Sequence, residues 1–386
     1  MVVLIDVSRV SDECCNHAID ELFAKAAGDP PNIWEPHHSP LVRRLIELFT
    51  ERGLMRIGAL QLELQKWLDG ERHKESERSI VPPGYVERWT PGELELVRLY
   101  LESLPPAEFT ADDWMLCIDF LHQRYFPQDE LRAEAEWLAV RASIMGRVQA
   151  RMGEVSERQA DALLMAAPAT VEEVGARFGM TAAQSAMLRW GRTHCAENIV
   201  TVADGIRQRI KAVVLDYQRG LALGDPTIRE SMQTRIADKF ATANADWRRI
   251  AVTEASELMN QGLIASLEQG TRVRRLEQYK GACQFCRKID GMEFEVIPAS
   301  EAAGKDPWKF VWAGKTNIGR SAAPRKRVGG ELVDREPHEM WIPAAGVQHP
   351  HCRGLYIALK EPDSAGDAEF TEWMKRTLET TNADRD

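Results

Sequence analysis

The chain has 386 residues, of which 44% are hydrophobic and 28% charged, and its formal net charge is −10. That length predicts two or three domains, and that balance predicts a globular chain, not a disordered one. A net-negative chain is poorly suited to coating nucleic acid over its whole surface, which leaves local basic patches as the only DNA-contacting option. No apolar stretch is long enough to cross a bilayer, and MVVLIDVSRV is expected not to be a signal peptide, since Asp6 interrupts it and no basic leader precedes it. Synthesis in a reducing cytoplasm follows from these two expectations.

The chain-order reading begins with helices. Residues 1–89 carry AIDELFAKAA and PLVRRLIELFTERGLMRIGALQLELQKWLDG, both with apolar residues at helical spacing. The Pro-dense segment GDPPNIWEPHHSP between them reads as a loop, and His37 and His38 are expected to be solvated there. Residues 90–199 read as a helical array. Thr90 is placed to cap a helix with Pro91 at its first position, and TADDWMLCIDFLHQRYF and a helix opened by Pro127 follow. His122 is expected to be hydrogen-bonded within this array. TVEEVGARFGMTAAQSAMLRWGRTH has the outline of a helix-turn-helix, with Arg189 and Arg192 on its second helix. Lacking a basic recognition helix, it is better read as a plain helical hairpin with Thr181 as N-cap.

From residue 200 two amphipathic helices flank LGDPT, and ADWRRIAVTEASELMNQGLIASLEQG forms a long helix. Short β-prone runs follow: TRVRRLEQY, GMEFEVI, HEMWIPA and GLYIALK. The polar tail, 361–386, is expected to hold one short helix. The fold class is therefore α+β, a predominantly helical N-terminal region followed by long helices packed on a small antiparallel sheet. The expected divisions are 1–89, 90–199, 200–360 with a basic loop inserted at 304–336, and 361–386.

Seven cysteines are present. Cys14, Cys15, Cys117 and Cys195 are scattered and read as small hydrophobes. Cys283 and Cys286 share a Cys-x-x-Cys spacing, and His349 and Cys352 repeat it far downstream, with Pro350 stiffening the second turn. Such spacing in a reducing compartment favours a metal over disulfides. Three sulfurs and one imidazole make a tetrahedral Zn2+ site; His351 is an alternative to His349, and His338 a remoter one. The other reading is that the same side chains pack without metal. Both predict that Cys283, Cys286, His349 and Cys352 lie together and close the neck of the insertion, since adjacent ends make a long insertion cheap in entropy.

Other elements carry weaker signals. Gly314-Lys315-Thr316 lacks the preceding glycine of a phosphate-binding Walker loop, because position 309 is Lys. What remains is a flexible basic loop in which Lys315, Arg320, Arg325, Lys326 and Arg327 are candidates for phosphate or DNA contact. Asp290-Gly291 reads as a hairpin turn. Glu254, beside Thr253, is expected to be a buried anchor bonded to the backbone of the sheet, and Asn260 and Gly262 to adjust helix packing.

Taken in order, RRIAVTEASELMNQG from Arg249, CQFCRKIDGMEF, and QHPHCRG form a set that resembles the phage Mu F-like minor head, or head-morphogenesis, family over residues 200–360. Arg249, Thr253, Glu254, Asn260, Gly262, Asp290, Gly291, Pro350 and Arg353 carry the resemblance with the cysteines. This chain departs from the pattern at Gly354, where the family often has a further cysteine, and in the long insertion from 293 to 340. The resemblance implies a structural protein of the virion, inside the head, with portal, capsid and scaffold proteins and packaged DNA as partners, and with no catalytic residues. The alternative is a zinc-anchored, metal-dependent nuclease or hydrolase in which His338, Glu339 or His351 serves an active metal.

Overall fold

The computed structural model describes residues 38–75, 80–84, 86, 88–224, 231–278, 282–359 and 368–383. The expectations for AIDELFAKAA, Cys14, Cys15 and His37 fall outside these residues. Helices come first: α1 (Pro40–Leu68), α2 (Pro91–Glu102), α3 (Ala111–Tyr125), α4 (Gln128–Met152), α5 (Glu157–Ala166), α6 (Val171–Arg177), α7 (Ala182–Leu223) and α8 (Met232–Ser266). Their starts follow the sequence chemistry. Thr90, Thr110, Ser156 and Thr181 each accept a hydrogen bond from the third helical N–H, and the side chain at that third position bonds back to the cap. The described residues of the first 200 contain no strand, and Thr181 starts a helical hairpin as expected.

The bundle is held by close helix crossings. α4, α7 and α8 pack on one another, and α1 packs on α8. At the α4–α8 crossing the backbones nearly touch: a Cβ on Gly262 would lie 2.6 Å from the Ser143 carbonyl oxygen, and one on Gly146 would lie 2.2 Å from that of Met259. Gly53 in α1 opens room for the Trp247 indole, which stacks on Phe49 at 5.6 Å and donates to the Phe49 carbonyl at 3.3 Å. His122 is buried, with Nε2 3.1 Å from the Ala203 carbonyl, and burial lowers its pKa to about 4.

Two expectations about organisation are corrected here. The boundary at 199/200 falls inside α7, a 42-residue helix that no Gly-Pro break interrupts, and the helices expected after LGDPT are one continuous α8. The array and the C-terminal part therefore share helices. The tail helix α10 (Ala368–Ala383) is amphipathic and packs on the bundle: Phe370 is fully buried and meets Phe178 edge-on at 5.3 Å.

The C-terminal part adds β1 (Arg272–Leu276), the short helix α9 (Gln284–Ile289), β2 (Glu293–Val296), β3 (Phe310–Val311), β4 (Arg325–Val328), β5 (Glu331–Asp334) and β6 (Leu355–Ala358). The main sheet has order β3-β2-β1-β6, and its β2–β3 pairing is parallel, so the sheet is mixed. Its apolar face, with Val273, Phe294, Val296, Val311 and Tyr356, packs on Ala150 of α4 and on Leu263 and Ile264 of α8. HEMWIPA is not a strand: Pro337 starts a 3-10 turn, and only Met340 forms a bridge, to Ser321. Part of the expected flexible loop is the β4–β5 hairpin, turned by Gly329 and Gly330, both at positive φ.

Candidate metal centre

Helix α8 presents one face to the segment 346–356. Arg249, Thr253, Glu257 and Asn260 recur at helical spacing along it. Arg249 Nε donates to His351 Nε2 at 2.7 Å, and Thr253 Oγ1 accepts from the His351 N–H at 3.0 Å. These two bonds hold His351 in a left-handed conformation, φ 66°, which turns the chain between Pro350 and Cys352. Glu257 accepts from Val347 N at 2.5 Å, and Gly346 has no side chain because a Cβ there would lie 1.8 Å from a Glu257 oxygen. Asn260 donates to the Gly354 carbonyl at 2.8 Å and accepts from Tyr356 N at 3.0 Å, fixing the start of β6. Gln261, bonded to Glu257, also accepts from Gly314 N at 2.9 Å.

The turn so held delivers His349 and Cys352 to α9. Cys283 caps α9, its sulfur accepting from Cys286 N at 3.4 Å. His349 Nε2 is 3.3 Å from each of the Cys283 and Cys286 sulfurs, and the Cys286 and Cys352 sulfurs are 3.7 Å apart. Donor atoms of Cys283, Cys286 and His349 all lie within 4.8 Å of one another, as do those of Glu277, Cys286 and Cys352. The cluster can hold a metal ion. In a tetrahedral site two sulfurs about 2.3 Å from the ion are ~3.8 Å apart, and a sulfur and an imidazole nitrogen are ~3.6 Å apart; the three edges above are close to that, while Cys352 groups with Glu277 and Cys286 and not with Cys283 and His349. The four expected residues thus come together at both ends of the insertion. His349 is oriented from behind: Nδ1 lies 2.7 Å from the Pro350 carbonyl, leaving Nε2 toward the sulfurs, and Trp341 stacks on the ring at 5.4 Å.

The electrostatics are set by burial. The hydrogen bond between Cys286 and Cys352 pushes Cys286 up, an effect to which burial adds, and holds Cys352 well below the usual thiol range against the opposing effect of burial, with help from the Arg275 guanidinium. Glu277 and Glu257 are both pushed up to about 7, mainly by desolvation.

Several expectations need correction. Glu254 is buried, but it faces α7 and not the sheet: Asn198 Nδ2 donates to it at 2.8 Å and His194 Nε2 lies 3.7 Å away. The sheet-side anchors are Glu257 and Asn260. Asp290-Gly291 ends α9 and leads into β2, so it is a helix cap and not a strand-to-strand turn; Asp290 accepts from Glu277 N, and Gly291 has φ 75°. Lys315 is not on an exposed loop: it is 2% exposed and donates to the carbonyls of Pro307 and Phe310, because its insertion turn folds over it. Arg320 donates to the Met340 carbonyl, Arg325 pairs with Asp334, Lys326 with Glu339, and Arg327 donates to the Gly330 carbonyl. Pro350 is exposed and Arg353 buried. His338, Glu339 and His351 belong to no group of three possible metal ligands among the described residues. Glu257, Gln261, Arg275 and Glu277 escaped the sequence reading. Gly346 and Gly354, each beside the His-Pro-x-Cys element and each filled by one of these side chains, were the available signal. Compared with family models, curated proteins and solved structures, the chain matches none of them.

Proposed function

We propose that this chain is a minor head protein of a tailed phage, similar to the Mu F-like head-morphogenesis proteins, acting as a structural component and not as an enzyme. One observation carries the reading. The pieces of the resemblance are separated by about a hundred positions, yet they are one another's hydrogen-bond partners: Arg249 and Thr253 with His351, and Asn260 with the residues flanking Leu355. A chance succession of weak motifs has no reason to fold into contact pairs.

Zn2+ is the ion that the donors of Cys283, Cys286, His349 and Cys352 suit, since thiolates and an imidazole favour a borderline-soft cation and four protein donors leave no open position. Such a site braces the neck of the insertion and offers no place for a metal-bound water. Portal, capsid and scaffold proteins are the partners of this reading. Packaged DNA ranks behind them, because Arg325 and Lys326 are already paired within the insertion. The test has two arms. The pure protein, given Mg2+, Mn2+ or Zn2+, is expected to leave DNA, peptide and nucleotide substrates intact, and to be retained by the portal protein of the same phage. Turnover abolished by Glu254→Gln or His351→Ala would overturn the reading.

A further inference from the structure

Arg275 lies in β1 with its side chain fully buried. Its Nη1 donates to the Gly346 carbonyl at 3.1 Å and its Nη2 to the Cys352 sulfur at 3.2 Å, and the guanidinium sits 4.9 Å from the Tyr356 ring centre. Nε has no hydrogen-bond partner. Among the described residues no carboxylate pairs with it. A guanidinium does not give up its proton in a protein, and an unpaired charge in the interior costs several kcal/mol. The groups placed to offset it are the Cys352 sulfur in direct contact and, further off, the Glu277 carboxylate, whose oxygen lies within 4.8 Å of that sulfur.

The backbone is shaped to admit this charge. A Cβ at position 354 would lie 2.3 Å from Nη2, 2.4 Å from Nε and 2.5 Å from Cζ. The space of one more side chain beside the sulfurs is filled by a cation. A divalent ion bound by three thiolates and one neutral imidazole carries a residual charge of −1, which a single guanidinium cancels.

We propose that Arg275 is the positioning residue of the metal centre, fixing the Cys352 sulfur toward the ion and offsetting the residual negative charge of the loaded site. This rests on the Zn2+ reading above. It assigns to β1 a part of the site that no cysteine or histidine spacing marks. Loss of such an outer-sphere partner typically weakens metal binding about 10–100-fold.

The experiment titrates the full chain with Co2+ alone, then with Zn2+ in competition with a chromophoric chelator. Wild type, Arg275→Met, Arg275→Lys and Arg275→Gln are compared, with circular dichroism as the check on folding. Wild type is expected to take one Co2+ with the charge-transfer absorption of three thiolates. Arg275→Met should bind about 10–100-fold more weakly, with absorption reduced to that of two thiolates, and Arg275→Lys should recover most of the loss. Should Arg275→Met not fold, the Lys and Gln variants, which differ in charge, carry the comparison. Equal affinity and equal absorption in the folded variants would overturn the role of Arg275 and leave the zinc reading standing. A wild-type chain that takes up neither ion would overturn both.

Discussion

Replacing Asn260 by Ala should loosen the attachment of β6 to α8. The Asn260 side chain is fully buried, and it satisfies the Gly354 carbonyl and the Tyr356 N–H at the start of that strand. Ala removes both bonds and leaves two backbone groups in a dry interface. Each such loss costs roughly 1–3 kcal/mol, while the better helix propensity of Ala returns about 0.5 kcal/mol. The net expectation is a destabilisation of about 2–5 kcal/mol, a large part of the roughly 5–15 kcal/mol that stabilises a typical domain. Urea unfolding followed by circular dichroism gives the loss, and hydrogen exchange at the Tyr356 amide locates it. Asn260→Asp keeps the acceptor and should show less loss of protection at that amide. A cost below about 0.5 kcal/mol, with Tyr356 as protected as before, would refute the reasoning.

Other expectations follow from the same packing. Gly262→Ala should lower the melting temperature by forcing α4 and α8 apart, at about 1–3 kcal/mol, whereas Gly58→Ala, whose Cβ would meet nothing within 4 Å, should raise it; equal effects would contradict the crossing. Glu254 is held protonated up to about 7 by burial, against 4.5 for the free group. Between those pH values the native state binds more protons than the unfolded chain, so stability falls as pH rises and the penalty is complete above about 7. Glu254→Gln should therefore match wild type near pH 4.5 and exceed it at pH 8 by up to about 3 kcal/mol, measured by urea unfolding at both values. A strong chelator should lower exchange protection in β1, β6 and 346–356 while leaving α1 to α4 protected; uniform loss, or none, would count against a metal-braced neck.

The helices were legible because their ends carry local chemistry: a Thr or Ser cap with a Glu, Asp or Gln three residues later needs no tertiary partner to be recognised. Their extents were less so. Nothing local distinguishes a helix that stops near 200 from one that runs through to Leu223, since the continuation is held by contacts with α8. HEMWIPA has strand-like residues, yet Pro337 and Pro343 remove donors and only Met340 finds a bridging partner. Phe370, Trp373 and Met374 sit at i, i+3 and i+4, a docking stripe that the polar average of the tail obscured.

At the candidate site, the cysteine spacing pointed to the candidate ligands and to their convergence, because two Cys-x-x turns with an imidazole have few other readings. The supporting side chains were hidden. Arg275, in RVRRL, reads as one of several surface arginines, and only its position behind Cys352 shows that it is buried. Glu257 looks like an ordinary solvated helix residue until Gly346 is seen to make room for it. Lys315 erred in the opposite direction, since a lysine in a glycine-bounded loop suggests exposure whereas the turn folds over its ammonium group.

The most direct test of the proposed role is to express the chain's source genome, recover any assembled heads on a density gradient, and quantify the chain in them by mass spectrometry. The account predicts that it co-migrates with portal and capsid proteins in a low, fixed ratio, and that deleting it leaves heads defective. Finding it only in the soluble fraction, with normal heads assembled in its absence, would contradict the account.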